Sequence, residues 1–212
     1  MRIVSGRRAK MPSKFQWMVV LLISAVGTAG CGKAKPIRYY QINYPALPSA
    51  GPEQTNVNLL VRVFFSSHLY REDRIVYGGA TPQMGTYTYE RWSAPPIDML
   101  QDAMVRGLRT SGRFNSVTAL RSDSSGDFIL TGHLYDFKEI SGAEIVARIN
   151  FDAELRELKT GKIVWSHTYN HDEPSQGNGV SAVAAAMDKN VQLSVKEVEA
   201  GLGEFFRTRK AQ

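Results

Sequence analysis

The sequence predicts an α+β domain, an antiparallel or mixed sheet with two main helices packed on one face, and three observations predict it. Residues 145–155 alternate apolar and polar with period two, positions 180–205 repeat apolar residues with helical period, and several short β-branched runs precede both. Strands, a helix, antiparallel strands and a second helix, in that order, make a single layered domain.

In chain order, Tyr39 to Ile42 and Leu59 to Phe65 are short and rich in β-branched or aromatic residues, and a Pro/Gly/Asn-containing stretch from Pro45 to Asn58 separates them. Both read as strands flanking a loop. Arg74 to Tyr77 and Thr86 to Glu90, on either side of Gly78-Gly79 and Pro82, read as an irregular hairpin. Ala94-Pro95-Pro96 then opens a helix, because proline is tolerated in a first turn whose N–H groups lack partners anyway. Ile97, Leu100, Met104 and Leu108 form its apolar stripe, which packs on the core, and Gly112 is the expected stop.

Phe128 to Ile140 is a further extended run. From Ile145 to Leu155, Ile145, Ala147, Ile149, Phe151, Ala153 and Leu155 face one way, and Arg148, Asn150, Asp152 and Glu154 the other, as in a half-buried antiparallel strand. Leu158-Lys159-Thr160-Gly161-Lys162 supplies a turn with Gly161 free to take positive φ. A returning strand with Ile163, Trp165, His167 and Tyr169 on one face completes a hairpin. After a loop from Asp172 to Gly179, Val180, Val183, Ala184, Met187, Val191, Val195, Val198, Leu202 and Phe205 mark a long C-terminal helix that Gly201 and Gly203 fray or bend near its end.

The net charge of +6 invites a nucleic-acid partner until its location is considered. Residues 1–30 hold Arg2, Arg7, Arg8, Lys10 and Lys14 with no acid, so residues 31–212 carry 21 basic and 20 acidic side chains. The body has no strong field, and nucleic acid is set aside. A single cysteine, Cys31, excludes an intramolecular disulfide and a multi-cysteine zinc site.

The leader explains that cysteine. The basic stretch is followed by an apolar run from Phe15 to Val26 and then Gly27-Thr28-Ala29-Gly30-Cys31, the pattern of a secretory signal. A dozen or so apolar residues fall short of the roughly 20 that span a bilayer, which disfavours a permanent transmembrane anchor. Thr28-Ala29-Gly30-Cys31 resembles a bacterial lipobox, with Thr28 where leucine is preferred. That resemblance implies cleavage before Cys31 and acylation of its thiol, and the acyl chains would hold a soluble domain on a membrane. A plain secreted protein with an incidental thiol is the competing reading. Gly32 is not the aspartate that retains lipoproteins at the inner membrane of enteric bacteria, so the sorting pattern implies the periplasmic face of the outer membrane.

Catalytic signatures are not found. His167 and His171 have the zinc spacing of a helix, but the surrounding period is two, and four residues of strand span about 13 Å, too far for one ion. His133 and Asp136 have no Gly-x-Ser-x-Gly elbow to serve, and Gly177 and Gly179 are not followed by the Lys-Ser/Thr of a phosphate loop. Glu139, Glu144, Asp152 and Glu154 are expected on solvated strand faces. The sequence therefore implies no catalytic residue, no metal and no cofactor.

One segment is not explained by helix formation alone: Glu90-Arg91-Trp92-Ser93-Ala94-Pro95-Pro96-Ile97-Asp98-Met99-Leu100, followed by Leu108, Ser111-Gly112-Arg113-Phe114 and Val117. It resembles the ABC-type transport auxiliary lipoprotein family, which includes the lipoprotein of the paraquat-inducible lipid-transport system. Arg38-Tyr39-Tyr40-Gln41-Ile42, Asp127-Phe128-Ile129-Leu130-Thr131-Gly132 and the lipidated cysteine extend the likeness over nearly the whole mature chain. The resemblance implies a non-catalytic companion of a transporter built from an ATPase, a permease and a mammalian-cell-entry-domain protein, moving lipids between inner and outer membranes.

It divides the chain into a signal peptide (1–30), a lipidated N-terminus with first strand and linker (31–57) and the auxiliary domain (58–208). Tyr87, Tyr89 and Trp92 are the candidate partner-binding residues, with stapling of the following helix to the sheet as the competing role of Trp92. A second copy of the chain stands as a further partner. Assembly lipoproteins of the curli-secretion type and activators of peptidoglycan synthases resemble Ser-Gly-x-Phe, Asp-Phe-Ile-Leu-Thr-Gly and Thr-Gly-Lys-Ile-Val-Trp as well. Trp92 with Pro95-Pro96 favours the transport auxiliary.

Overall fold

The computed structural model of the chain describes residues 34–43, 54–79 and 81–210, so Cys31 and the leader lie outside the described residues. The fold belongs to the unit Ile37–Gln212. Its strands are β1 (Arg38–Tyr40), β2 (Thr55–Val61), β3 (Phe65–Ser66), β4 (Arg74–Gly78), β5 (Met84–Trp92), β6 (Phe114–Ala119), β7 (Phe128–Ile140), β8 (Val146–Glu157) and β9 (Ile163–Pro174). Its helices are α1 (Pro96–Thr110) and α2 (Val180–Lys210), with a short 3-10 turn at His68–Tyr70. The nine strands form one mixed sheet that curls into a half-barrel, making a single α+β domain. No helix among the described residues is long and apolar enough to cross a membrane.

β7 is the spine. One edge pairs antiparallel with β8 along nearly its whole length, from Phe128↔Glu157 to Ile140↔Val146. The other is shared in succession by three parallel strands, β2 at Phe128–Leu130, β3 at His133–Leu134 and β4 at Lys138–Ile140. This sharing breaks the expected strand from Leu59 to Phe65 into β2 and β3: between them Phe64 turns inward and meets Phe151 edge-on at 5.4 Å. β6, which pairs with β2, follows α1 directly and carries no alternation of its own, and the sequence reading passed over it.

The alternation is borne out from Ala147 to Leu155, while Ile145, also expected inward, precedes β8 and is half-buried. Ala147, Ile149, Phe151, Ala153 and Leu155 have no exposed surface, whereas Arg148, Asn150, Asp152 and Glu154 are only partly buried. The turn places Gly161 at φ 69°, as expected for a residue without a Cβ, and β9 returns with Tyr169 buried against Phe151. β9 extends to Pro174, three residues into the expected loop, where Glu173 is itself buried and paired with Lys189.

α1 begins at Pro96, and Ile97, Leu100, Met104 and Leu108 are all buried. α2 packs on β8 and β9 and against α1. Its stripe is buried from Val183 to Leu202, with Val180 only half-buried, and the last buried aromatic is Phe206, with Phe205 half-buried. Gly201 and Gly203 do not end the helix, which runs on to Lys210. They admit close neighbours: a Cβ at 201 would stand 2.8 Å from Cζ2 of Trp165, and one at 203 would stand 2.6 Å from Cζ of Arg113. Asn190, wholly buried, ties α2 to the sheet. Its amide donates to Ala147 O (2.7 Å) and His171 O (2.9 Å), and its Oδ1 accepts from the Tyr169 hydroxyl at 2.6 Å.

Candidate interaction surface

β4 and β5 make the corner that holds all three candidate aromatics. Their pairing slips: on β4 two positions separate Arg74 from Val76, and on β5 five separate Thr86 from Arg91, their respective partners. Such a bulge breaks strand alternation, so residues two or three apart on β5 need not share a face.

Trp92 is interior, which corrects its place among the partner-binding candidates. It is 1% exposed, its ring meets Phe137 edge-on at 5.5 Å, and its backbone N–H donates to Asp73 O at 2.7 Å. Next to it, Ser93 N–H donates to Tyr40 O, so the residues entering α1 are pinned between β1 and the sheet. The ring thus fills the interior beside the Pro95-Pro96 corner, which agrees with the stapling role and not with a docking one. Its Nε1 is buried with no hydrogen-bond partner among the described residues.

Tyr87 is half-buried and already engaged. Its hydroxyl donates to Glu139 Oε2 at 2.8 Å and its ring lies 4.9 Å from that of Tyr77. Burial, then the bond and charge of Glu139, push its phenol well above the ordinary tyrosine range. Glu139, expected on a solvated face, is buried at 4% exposure, and it accepts from Ser141 Oγ as well as Tyr87. A carboxylate held by two hydroxyls can stay inside. Tyr89 is 40% exposed, and Tyr77 and Met84 are the other large exposed side chains of this corner. Of the three candidates, Tyr89 is the residue a partner can reach.

The two strand histidines end on different carboxylates. His167 Nε2 lies 2.7 Å from Glu197 Oε1 on α2, and His171 Nε2 lies 3.3 Å from Glu173 Oε2. Cys31, the expected acylation site, is outside the described residues.

Sequence reading missed a second concavity, a groove of about 660 Å³ where the start of β2, the start of β7 and the β8–β9 turn meet the last turns of α2. The guanidinium of Arg209 sits 5.4 Å from the Phe128 ring centroid and pairs with Glu157 at 2.5 Å. The Thr160 hydroxyl and Arg209 together hold the Glu157 carboxyl below its ordinary range. No local period signals this site, because segments about 30–150 positions apart build it.

A family model described as the ABC-type transport auxiliary lipoprotein component matches residues 40–199. Among solved structures, the chain is similar to protein XCC0632 from Xanthomonas campestris, with 22% identity over 82% of this chain and 100% of that one, at a TM-score of 0.74. It is also similar to an uncharacterized protein with 14% identity over 79% of this chain and 99% of that one, at a TM-score of 0.62. Both likenesses support the fold. No curated protein matches the chain significantly.

Proposed function

Because the chain belongs to the ABC-type transport auxiliary lipoprotein family, we propose that it is a membrane-anchored periplasmic lipoprotein that serves its transporter by contact and not by catalysis. The observation that carries this reading is the extent of the match, which runs from Tyr40 at the end of β1 to Glu199 within α2 and so takes in α1, the complete spine of the sheet and the larger part of α2.

In this reading the transporter consists of an ATPase, a permease and a mammalian-cell-entry-domain protein, and its cargo is lipid passing between inner and outer membranes. Acylation of Cys31 holds the body at the periplasmic face of the outer membrane, the side that Gly32 favours. The docking surface is the β4–β5 corner, where Tyr89 is the exposed aromatic anchor and the buried Trp92 keeps the corner rigid.

Affinity capture of the acylated full chain from cross-linked envelopes tests the proposal. The expected result is recovery of the permease, the ATPase and the mammalian-cell-entry-domain protein together. Recovery of a peptidoglycan synthase or a secretion channel with no transporter component would replace it with an assembly or activator role.

A further inference from the structure

A cavity of about 460 Å³ lies on the face of the sheet turned away from the core, and docking at the β4–β5 corner makes no use of it. One cross-strand row builds it: Phe65 of β3 stands opposite His133 of β7, His133 opposite Asp152 of β8, and Asp152 opposite Thr168 of β9. Residues opposite one another across strands share a face, so four strands contribute to one site. Beside this row β7 carries one extra residue, because Leu134 pairs with Phe151 and Asp136 with Asn150, while Tyr135 between them has no partner position on β8. A bulge of this kind re-aims a side chain. The Tyr135 ring lies back on His133, with centroids 4.6 Å apart and 22° between the planes, and its hydroxyl donates to Asp152 Oδ2 at 2.7 Å. The Thr168 hydroxyl donates to Oδ1 of the same carboxylate at 2.8 Å, so the group that holds the tyrosine is itself held.

Two aromatic surfaces are thereby offered to solvent in one cavity, Tyr135 at 47% exposure and Phe65 at 59%. The charges around them cancel, Arg62 and Arg156 against Asp152 and Glu154, so no net field selects an ion of either sign. Arg62 and Glu154 nevertheless have no side-chain hydrogen bond or ion pair among the described residues. Arg156 donates one N–H to Gly161 O at 2.7 Å, which leaves most of its fork for a ligand. The centre of a protein interface is depleted of charge, whereas here four charged side chains surround the rings. Adjacent hydroxyls, which both donate and accept, match a guanidinium fork on one side and a carboxylate on the other. The electron-rich face of an aromatic ring attracts the polarised C–H groups on the flat side of a pyranose.

We propose that this cavity binds a neutral glycan, with pyranose rings against Phe65 and Tyr135 and their hydroxyls bonded by Arg62, Glu154 and Arg156. The bulge at Tyr135 and the clamp on Asp152 hold one wall of the platform in place before the sugar arrives. The site shares no residue with the β4–β5 corner, so its ligand can be tested apart from contact with a transporter.

Isothermal titration calorimetry with maltotetraose, cellotetraose and chitotetraose tests the proposal on the mature chain carrying Cys31→Ser, which needs no glycosidic detergent. The expected result is saturable one-to-one binding of at least one of the three, and the arm that binds identifies the linkage and whether acetamido groups are taken. Phe65→Ala and Tyr135→Ala should each weaken it by about tenfold, through loss of a stacking surface. Glu154→Gln should weaken it by about fivefold, through loss of a charged acceptor. Lys196→Gln, on the exposed side of α2, should change nothing. Affinity should hold from about 0.05 M to about 0.5 M salt, as for an uncharged ligand. Circular dichroism confirms that each variant is folded. Absence of saturable binding of all three sugars, unchanged affinity in any of the three cavity variants, or a steep loss of affinity with salt overturns the proposal. Capture of a mammalian-cell-entry-domain protein that Phe65→Ala abolishes, with no oligosaccharide bound by the parent chain, assigns this face to protein docking instead.

Discussion

The Nε of Arg38 donates to both carboxylate oxygens of Glu90, at 3.0 Å each, and the Tyr40 hydroxyl donates to the same group at 2.8 Å. Glu90 is 5% exposed on β5, directly opposite Arg38 in the parallel β1–β5 pair. Arg38 follows Cys31 by seven positions, a length of chain that spans at most about 25 Å. In an acylated protein this clamp therefore fixes how far the body can stand from its membrane.

Loosening the clamp has a local signature. Arg38→Met leaves the buried Glu90 carboxylate without its guanidinium, so amide hydrogen exchange should speed up across residues 38–42. Exchange in β7 and β8 should hold. Uniform acceleration, or none, would show that β1 is not clamped by this pair.

Cys31→Ser should move the protein from the membrane to the soluble periplasmic fraction and abolish labelling by a fatty-acid analogue. Retention of both membrane association and label would contradict acylation at Cys31.

The register of β8 makes a paired prediction. Phe151 is wholly buried between Phe64 and Tyr169, so Phe151→Asp should cost about 3–5 kcal/mol or more, through loss of a large apolar group and burial of a charge. Glu154→Lys, on the outward face, should stay within about 0.5 kcal/mol. Equal costs in chemical denaturation would mean that the faces are misassigned.

What the sequence made legible was whatever a local period encodes. Both helices, the β8–β9 hairpin and the Gly161 turn follow from residues within a few positions of one another. What it hid depends on partners far along the chain. The parallel packing of β2, β3 and β4 on one edge of β7 has no local signature, so β6 was missed and the break before Phe64 was not foreseen. Glu139 reads as a surface carboxylate until Tyr87, 52 positions away, closes over it. Gly201 and Gly203 read as helix breakers until Trp165 and Arg113 fill the space a side chain would need. The same limit applied to the candidate site, where Tyr87, Tyr89 and Trp92 are neighbours in sequence but the slipped β4–β5 register leaves only Tyr89 well exposed.

Stability should fall on both sides of neutrality. The bidentate bond from Arg148 holds the Asp172 carboxyl below its ordinary range. Its contribution is therefore present above the unfolded value of about 3.9 and lost as pH falls through the lower folded value. Burial, then the charge of Asp136, pushes the Tyr70 phenol up to about 12. Its contribution is present below the unfolded value of about 10 and lost as pH rises toward the folded one. Urea midpoints measured against pH should show Arg148→Met reducing the acid loss and Tyr70→Phe reducing the alkaline loss. Unchanged limbs in both variants would remove these groups from the account.

The central claim is contact with a transporter, and titration of the purified mature chain with the periplasmic part of its mammalian-cell-entry-domain protein measures that contact most directly. The account predicts saturable binding that Tyr89→Ala weakens by about 1–2 kcal/mol with little change in melting temperature. Trp92→Ala should instead lower the melting temperature, as expected of a ring packed on Phe137. No binding by the parent chain, or full-strength binding by Tyr89→Ala, would contradict the account.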